Sequence, residues 1–302
     1  MNERDIVTTA RQVEHVLREN LRAAERRIQQ AVCPIYGADD RGKPYLIGSS
    51  LLLKVHDRSF LVTAAHVLDW NQETSIYVAG RLKPVRIEGE SYRTSPPATG
   101  RNDDLMDFGI IDISGTPPDQ WSRYRFLTPD DLDVDDFPAD HTLYGFSGYP
   151  VTKNRVYSAN IKLSSMACIV IAAPPAQYSH LGLQPASHFL GQFDRTRQVD
   201  SVKGLMTGPD PHGLSGGGVW RMGTPGEFAK GTNSERLIGI GIEHRQDAKV
   251  LLGVRVSLLV VMIARIYPDL AGYLPTPQRV LVGTVEVGAP LSNNPAESPL
   301  QG

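Results

Sequence analysis

Apolar and polar positions fall into two regimes along the chain. Over residues 5–31, Ile6, Ala10, Val13, Leu17, Leu21, Ala24 and Ile28 recur at spacings of three and four, with Arg and Glu between them. That period predicts an amphipathic helix, whose apolar stripe either packs on the body of the protein or docks a regulatory partner. Past "PIYGADDRGKPY" the pattern changes to short apolar runs broken by turn residues. "LIGSSLLLKV" and "SFLVTAAHVL" flank the break "HDR" and predict a hairpin; "SIYVAG", "KPVRIEGE", "FGIIDIS", "TLYGFSGYP", "RVYSANIKLSS", "ACIVIAA", "GVWRM", "RLIGIGIEH" and "KVLLGVRVS" follow. Many short runs at near-regular spacing predict sandwiches or barrels rather than alternating βαβ units.

Three further segments complete the layout. The Pro- and Asp-rich stretch 115–140 separates two strand-rich halves and reads as a solvated acidic linker. Its acidic run, Asp131 to Asp136, lacks the turn glycine of a calcium loop, and Thr142 stands where the bidentate glutamate belongs. "VLLGVRVSLLVVMIARIY" (250–267) approaches the length of a membrane helix, but Arg255, Arg265 and Gly253 interrupt it, which favours a buried strand running into a helix. From about Gln278 the tail is polar and Pro-rich, too short for another domain.

Composition narrows the function classes. At 302 residues, 41% hydrophobic and 21% charged, the chain can bury a sizeable core. A formal net charge of −2 and scattered Lys and Arg give no basic stripe, so nucleic acid is not an expected partner, and neither is a membrane. Cys33 and Cys168 lie far apart without a Cys-x-x-Cys spacing, which predicts neither a disulfide framework nor a zinc ribbon. The charged first thirty residues carry no apolar signal core, and the expectation is a cytoplasmic protein.

The stretch "GPDPHGLSGGGVW" (208–220) gathers glycines around Ser215 directly before an apolar run. A serine hydroxyl is a poor nucleophile alone; it needs a base within hydrogen-bond reach, a group that orients the base, and donors for a developing oxyanion. His66 follows one β-rich run in a small-residue turn, and Asp107 immediately precedes another. Gly213, two residues before the serine, leaves a backbone amide unobstructed. Each signal alone is ambiguous, whereas His, Asp and Ser in that order, each at a strand edge, form a specific combination. "GLSGG" also satisfies the Gly-x-Ser-x-Gly pattern of an α/β-hydrolase esterase, but Gly216 to Gly218 oppose the helix that elbow requires, and His244 precedes Asp247 where the order should be reversed. A phosphate cradle lacks its Gly-Lys-Ser/Thr ending.

On "LVTAAHVL", "MDFGII" and "GLSGGGVW", the sequence resembles the chymotrypsin-like (trypsin-like) serine peptidases, as a single-domain member of bacterial type. "LIGIGIEH" and "GVRVSLLVVMIARIY" extend the likeness to roughly residues 45–270. The resemblance implies a mainly β fold of two antiparallel, six-stranded β-barrels, with an N-terminal amphipathic helix (1–32) and a C-terminal helix (about 258–270). Within a peptidase domain 33–275, the first barrel is expected at about 40–115 and the second at about 141–257, followed by a tail at 276–302. His66 is implied as general base, Asp107 as its orienter, Ser215 as nucleophile, and the amides of Gly213 and Ser215 as the oxyanion hole. Ile242, Glu243 and His244 are implied beside the substrate chain; the pocket floor falls on Pro209, with Asp210 beside it and His212 as a loop histidine. The implied reaction is hydrolysis of a protein or peptide substrate without metal or cofactor. The alternative is an inert or latent peptidase fold kept as a binding module. Two departures from the family stand out: Leu214 replaces an aspartate that pairs with a newly cut amino terminus, and no Arg-Ile-Val-Gly-Gly segment precedes the first strand. Control, if present, is then expected at loop 208–215 or at the amino-terminal helix.

Overall fold

The computed structural model describes residues 3–80, 83–154, 156–157, 160–161, 163–200, 204–208 and 210–278. The expected tail therefore falls almost entirely outside the described residues, as does Pro209. Helix α1 (Glu3–Gln30) leads into strands β1 (Val32–Ala38), β2 (Pro44–Val55) and β3 (Arg58–Thr63), the short helix α2 (Ala65–Asp69), and strands β4 (Tyr77–Ala79), β5 (Pro84–Arg86), β6 (Ser91–Arg93) and β7 (Gly109–Asp112). The second half holds β8 (Leu143–Gly148), β9 (Val156–Tyr157), β10 (Asn160–Ile161), β11 (Met166–Val170), α3 (Pro175–His180), β12 (His188–Gln192), β13 (Gln198–Asp200) and β14 (Gly204–Met206). It ends with β15 (Gly218–Gly223), α4 (Pro225–Lys230), β16 (Arg236–Arg245), β17 (Val250–Arg255) and α5 (Val256–Ile266).

Two curled antiparallel sheets form the body, with α1 before them and α5 after. The second has six strands in the order β11-β8-β15-β16-β17-β12, and an Ala172–Gly191 bridge links its edges. The first has seven, β5-β4-β1-β2-β3-β7-β6, one more than expected. The run "KPVRIEGE" supplies the short edge strand β5, whose opening Pro84 suits an edge, where a missing N–H costs no ladder bond, whereas β1 and the three-residue β6 fall outside the runs read from the sequence. The hairpin of β2 and β3 is tighter than the "HDR" break suggested: Val55 pairs with Arg58, so His56 and Asp57 alone make the turn, with His56 at φ +54.

The connector between the sheets departs from the solvated linker expected. Leu127 exchanges hydrogen bonds with β2, its N–H donating to the Leu52 carbonyl and its carbonyl accepting from Lys54, each at 2.8 Å. The Asp133 N–H donates to the Leu237 carbonyl at 2.9 Å, stitching the same segment to β16. Trp121 and Leu127 are buried, and Asp136 faces Arg255 at 3.1 Å with both side chains 5% exposed. Apolar residues between the acids fold the stretch inward, and arginines then neutralise acids that would otherwise stay in water.

Helix α1 packs on the second sheet and on α4. Ala24 and Ile28 are buried, and Leu17 and Leu21 lie against the same core. The seam carries specific polar links: Asn20 Nδ2 donates to the Phe228 carbonyl at the end of α4 (2.6 Å), and Arg27 grips Glu235 through two hydrogen bonds of 2.7 and 2.8 Å. Among the described residues, no helix is long and apolar enough to cross a membrane; the apolar run at 250–267 divides into β17 and α5, as its pattern predicted.

Candidate active site

His66 sits in the first turn of α2, directly after β3. Asp107 ends the loop before β7, and β3 pairs with β7 from Thr63–Gly109 onward, so the ladder brings the two residues together. Asp107 is buried and accepts twice from the same histidine: Oδ1 takes the His66 backbone N–H at 2.8 Å, and Oδ2 lies within a short hydrogen bond of ring Nδ1. A carboxylate only accepts, so Nδ1 carries a proton, and in the neutral ring the lone pair is then on Nε2.

A salt-bridge network braces both segments. Asp69, at the end of α2, faces Arg93 and accepts from Arg101 Nε at 2.9 Å. Arg101 also bonds Asp104 and donates to the Thr94 carbonyl at 3.0 Å, while Asp104 Oδ1 accepts the Met106 N–H at 2.9 Å. Burial pushes the Asp104 carboxyl above its ordinary value, with Asp107 nearby adding to the rise. The second sheet reaches the same loop through His188, whose Nε2 meets the Leu105 carbonyl at 2.9 Å. Since that carbonyl only accepts, Nε2 holds the proton and Nδ1 accepts from the Ser187 hydroxyl at 2.9 Å. Burial lowers the His188 pKa and favours this neutral form.

Ser215 lies in the tight turn before β15. Gly216 there has φ +83, and a Cβ on it would stand 2.0 Å from Thr63 Oγ1 and 2.1 Å from the Ser49 carbonyl oxygen. The turn thus needs a glycine twice over, for its backbone angle and for its closeness to the first sheet. Its amide bonds are specific: Gly216 N–H to the Gly241 carbonyl (2.7 Å), Gly217 N–H to Leu214 (2.9 Å), and Gly241 N–H back to Gly217 (2.8 Å). Opposite them β16 bulges. Gly241 pairs with Gly253 and Glu243 with Leu252, so Ile242 is left outside the ladder. Its free carbonyl accepts the Ser215 hydroxyl at 3.0 Å.

His66, Asp107, Gly213, Ser215, Asp210, Ile242, Glu243 and His244 all line one cleft of about 870 Å³. The residues singled out in the sequence therefore converge. Among the described residues, however, the Ser215 hydroxyl bonds Ile242 and not the His66 ring. The backbone amides of Gly213 and Ser215 have no acceptor among the described residues. The His212 carbonyl of the peptide before Gly213 accepts the Val151 N–H at 2.8 Å. In a trans peptide the C=O and N–H point opposite ways, so the Gly213 N–H turns away from Val151.

The candidate substrate-side residues are partly occupied. Asp210 accepts the His212 N–H at 3.0 Å and faces Arg195 at 3.6 Å, both side chains 43% exposed, an arrangement that contributes little to stability. Glu243 bonds Arg245 at 2.9 Å, and His244 meets Phe193 edge-on while burial lowers its pKa. Sequence reading missed the other end of the cleft, where Tyr45 and Trp70 pack edge to face with centroids 5.9 Å apart. Trp70 is 38% exposed, a property of the fold that its sequence context does not mark. It also missed Ser49, a hydroxyl inside an apolar strand.

No family model matches the chain, and no curated protein matches it. Among solved structures it is similar to neuropsin, a serine protease expressed in the limbic system of mouse brain. The identity is 15%, the match covers 79% of this chain and 94% of that one, and the TM-score is 0.50. The likeness is one of fold: two curled antiparallel sheets, flanked by an N-terminal and a C-terminal helix, make this chain a bearer of the trypsin-like serine protease fold.

Proposed function

We propose that the protein is a serine endopeptidase. One observation carries the reading: Asp107 accepts both the ring and the backbone N–H of His66, which lines the same cleft as Ser215. In the proposed reaction the Ser215 hydroxyl turns from Ile242 toward His66 and attacks the scissile carbonyl carbon. Its proton passes to Nε2, and Asp107 balances the resulting imidazolium. The carbonyl oxygen becomes an oxyanion between the amides of Gly213 and Ser215. As the C–N bond breaks, Nε2 returns the proton to the leaving amine and the acyl group stays on Ser215. Water then enters, gives a proton to His66, and releases the acid while the serine recovers its hydrogen. Ile242, Glu243 and His244 supply backbone for an extended substrate, and Asp210 a negative charge near its P1 residue. Restricted cleavage of partner proteins suits a cleft whose charged walls are already paired.

A second reading, a latent or inert binding module, draws on the Ser215 hydroxyl being bonded to Ile242. A fluorophosphonate probe separates the two. The peptidase reading expects labelling of the full chain that disappears in Ser215→Ala; no labelling under any condition favours the module. Cleavage profiles on a peptide library, wild type against Ser215→Ala, then give the P1 residue.

A further inference from the structure

Ser49 lies in β2 of the first sheet, fully buried, and its N–H, carbonyl and hydroxyl together make four hydrogen bonds. Its N–H donates to the Ser215 carbonyl at 2.8 Å, and its carbonyl accepts from Thr63 Oγ1 at 2.6 Å. The hydroxyl donates to the Gly213 carbonyl at 2.7 Å and accepts the Tyr149 N–H at 2.8 Å. One strand of the first sheet thereby holds the serine loop of the second at two points.

The hydroxyl bonds decide how Gly213 is turned. The peptide from Gly213 to Leu214 is fixed at both ends, its C=O on Ser49 and its N–H on the Pro211 carbonyl at 2.9 Å. The peptide before it is fixed by the Val151 N–H on the His212 carbonyl, and Val151 follows Tyr149 by two residues, so the bond from Tyr149 to Ser49 anchors that support too. Gly213 itself, at φ +96, has no side chain to resist rotation. Its neighbour Leu214 is buried among Tyr144, Phe146 and Ile238, where it packs but offers the loop no charge.

Resting on the peptidase reading, we infer that Ser49 is the positioning residue of the oxyanion site: its hydroxyl, shared between Gly213 and Tyr149, sets the Gly213 N–H toward the cleft. A neutral hydroxyl already in the chain does this as soon as the two sheets close, and no cleavage of the chain is needed to complete the site. The transition state should feel its loss more than the bound substrate, because the donor it aims acts on charge that exists only in the transition state.

The test uses the full-length protein with Ser49→Ala, and with Ser49→Cys, which keeps the shape of the side chain but is only a weak donor. Removing one oxyanion donor lowers kcat by about 10²–10³-fold, and a loss approaching that size is expected for both variants while KM stays within about threefold. Affinity for a peptide boronic acid, whose tetrahedral anion fills the same donors, should fall in parallel, and Ser215→Ala should bind a substrate peptide equally well with or without the Ser49 change. A role in packing alone would move the melting temperature and leave the boronate affinity untouched. Should Ser49→Ala not fold, Ser49→Cys carries the same comparison. The inference is overturned if either folded variant keeps wild-type kcat, or if a crystal structure of one shows the Gly213 N–H still facing the cleft. An inactive, unlabelled wild type overturns the peptidase reading instead, and the crystal structure still decides the role of Ser49.

Discussion

Asp107→Asn preserves the shape of a buried side chain and removes its charge, and the two hydrogen bonds the carboxylate accepts determine the outcome. Oδ1 holds the His66 N–H at 2.8 Å and Oδ2 faces ring Nδ1. Asparagine offers one acceptor where two are needed. With its oxygen on the backbone N–H, its amide donates toward Nδ1, the ring proton moves to Nε2, and the base is lost. With the amide flipped, the ring is correct, but two donors now oppose each other in a buried site, at a cost of about 1–3 kcal/mol. Exchanging a charge-assisted bond to the imidazolium for a neutral one removes roughly another 1–2 kcal/mol from the transition state. Together, about 2–5 kcal/mol corresponds to roughly a 30- to 5,000-fold fall in kcat/KM. The assay is hydrolysis of a peptide substrate found by library profiling, at neutral pH, on protein shown by thermal unfolding to be folded. A folded Asp107→Asn enzyme within about threefold of wild type would refute the reasoning, since no orientation of the amide satisfies both histidine bonds and supplies the charge.

Two further outcomes concern stability. Gly216→Ala forces a methyl carbon into space 2.0 Å from Thr63 Oγ1, at a backbone angle of +83° that alanine resists, so denaturant unfolding should show a loss of at least about 2–3 kcal/mol; an unchanged midpoint contradicts the turn described. Asp136 is pushed up to about 6 because burial outweighs the attraction of Arg255. The folded state then holds a proton that the unfolded chain has released, so this group's contribution is fully present below about pH 4 and is lost as pH rises through about 6, by at most about 3 kcal/mol. Urea unfolding of wild type and Asp136→Asn across that window should differ in slope, with the wild type falling more steeply; parallel curves would show that Asp136 does not titrate there.

What the sequence made legible was local. The helical stripe of α1, the strand and helix hidden in 250–267, and the positions of His66, Asp107 and Ser215 at strand edges each depend on a few neighbouring residues. Ser49 was illegible because its hydroxyl partners, Tyr149 and Gly213, stand 100 and 164 residues away, and nothing in "LIGSSLLLKV" sets it apart from Ser50 beside it. The connector was misread for the same reason: Asp136 looks like a solvated acid until Arg255, 119 residues later, is folded against it. Short strands are also weak signals: β6 holds only three residues, and neither it nor β1, which directly follows α1, stood out as an apolar run. The bonding of Ser215 to Ile242 depends on a bulge, which inserts one residue without altering the apolar pattern around it.

The bond from His188 to the Leu105 carbonyl has an evolutionary implication. It ties β12 of the second sheet to the loop that presents Asp107, while Ser49 ties β2 of the first sheet to the loop that presents Ser215. Each half of the chain therefore holds a loop of the candidate site carried by the other. Chimaeras that exchange one half for that of a distant relative should fold, since each sheet keeps its own ladder, and yet lose their aim. Both acceptors are backbone carbonyls, which any residue supplies, so the constraint these bonds impose falls on the side chains of His188 and Ser49 themselves.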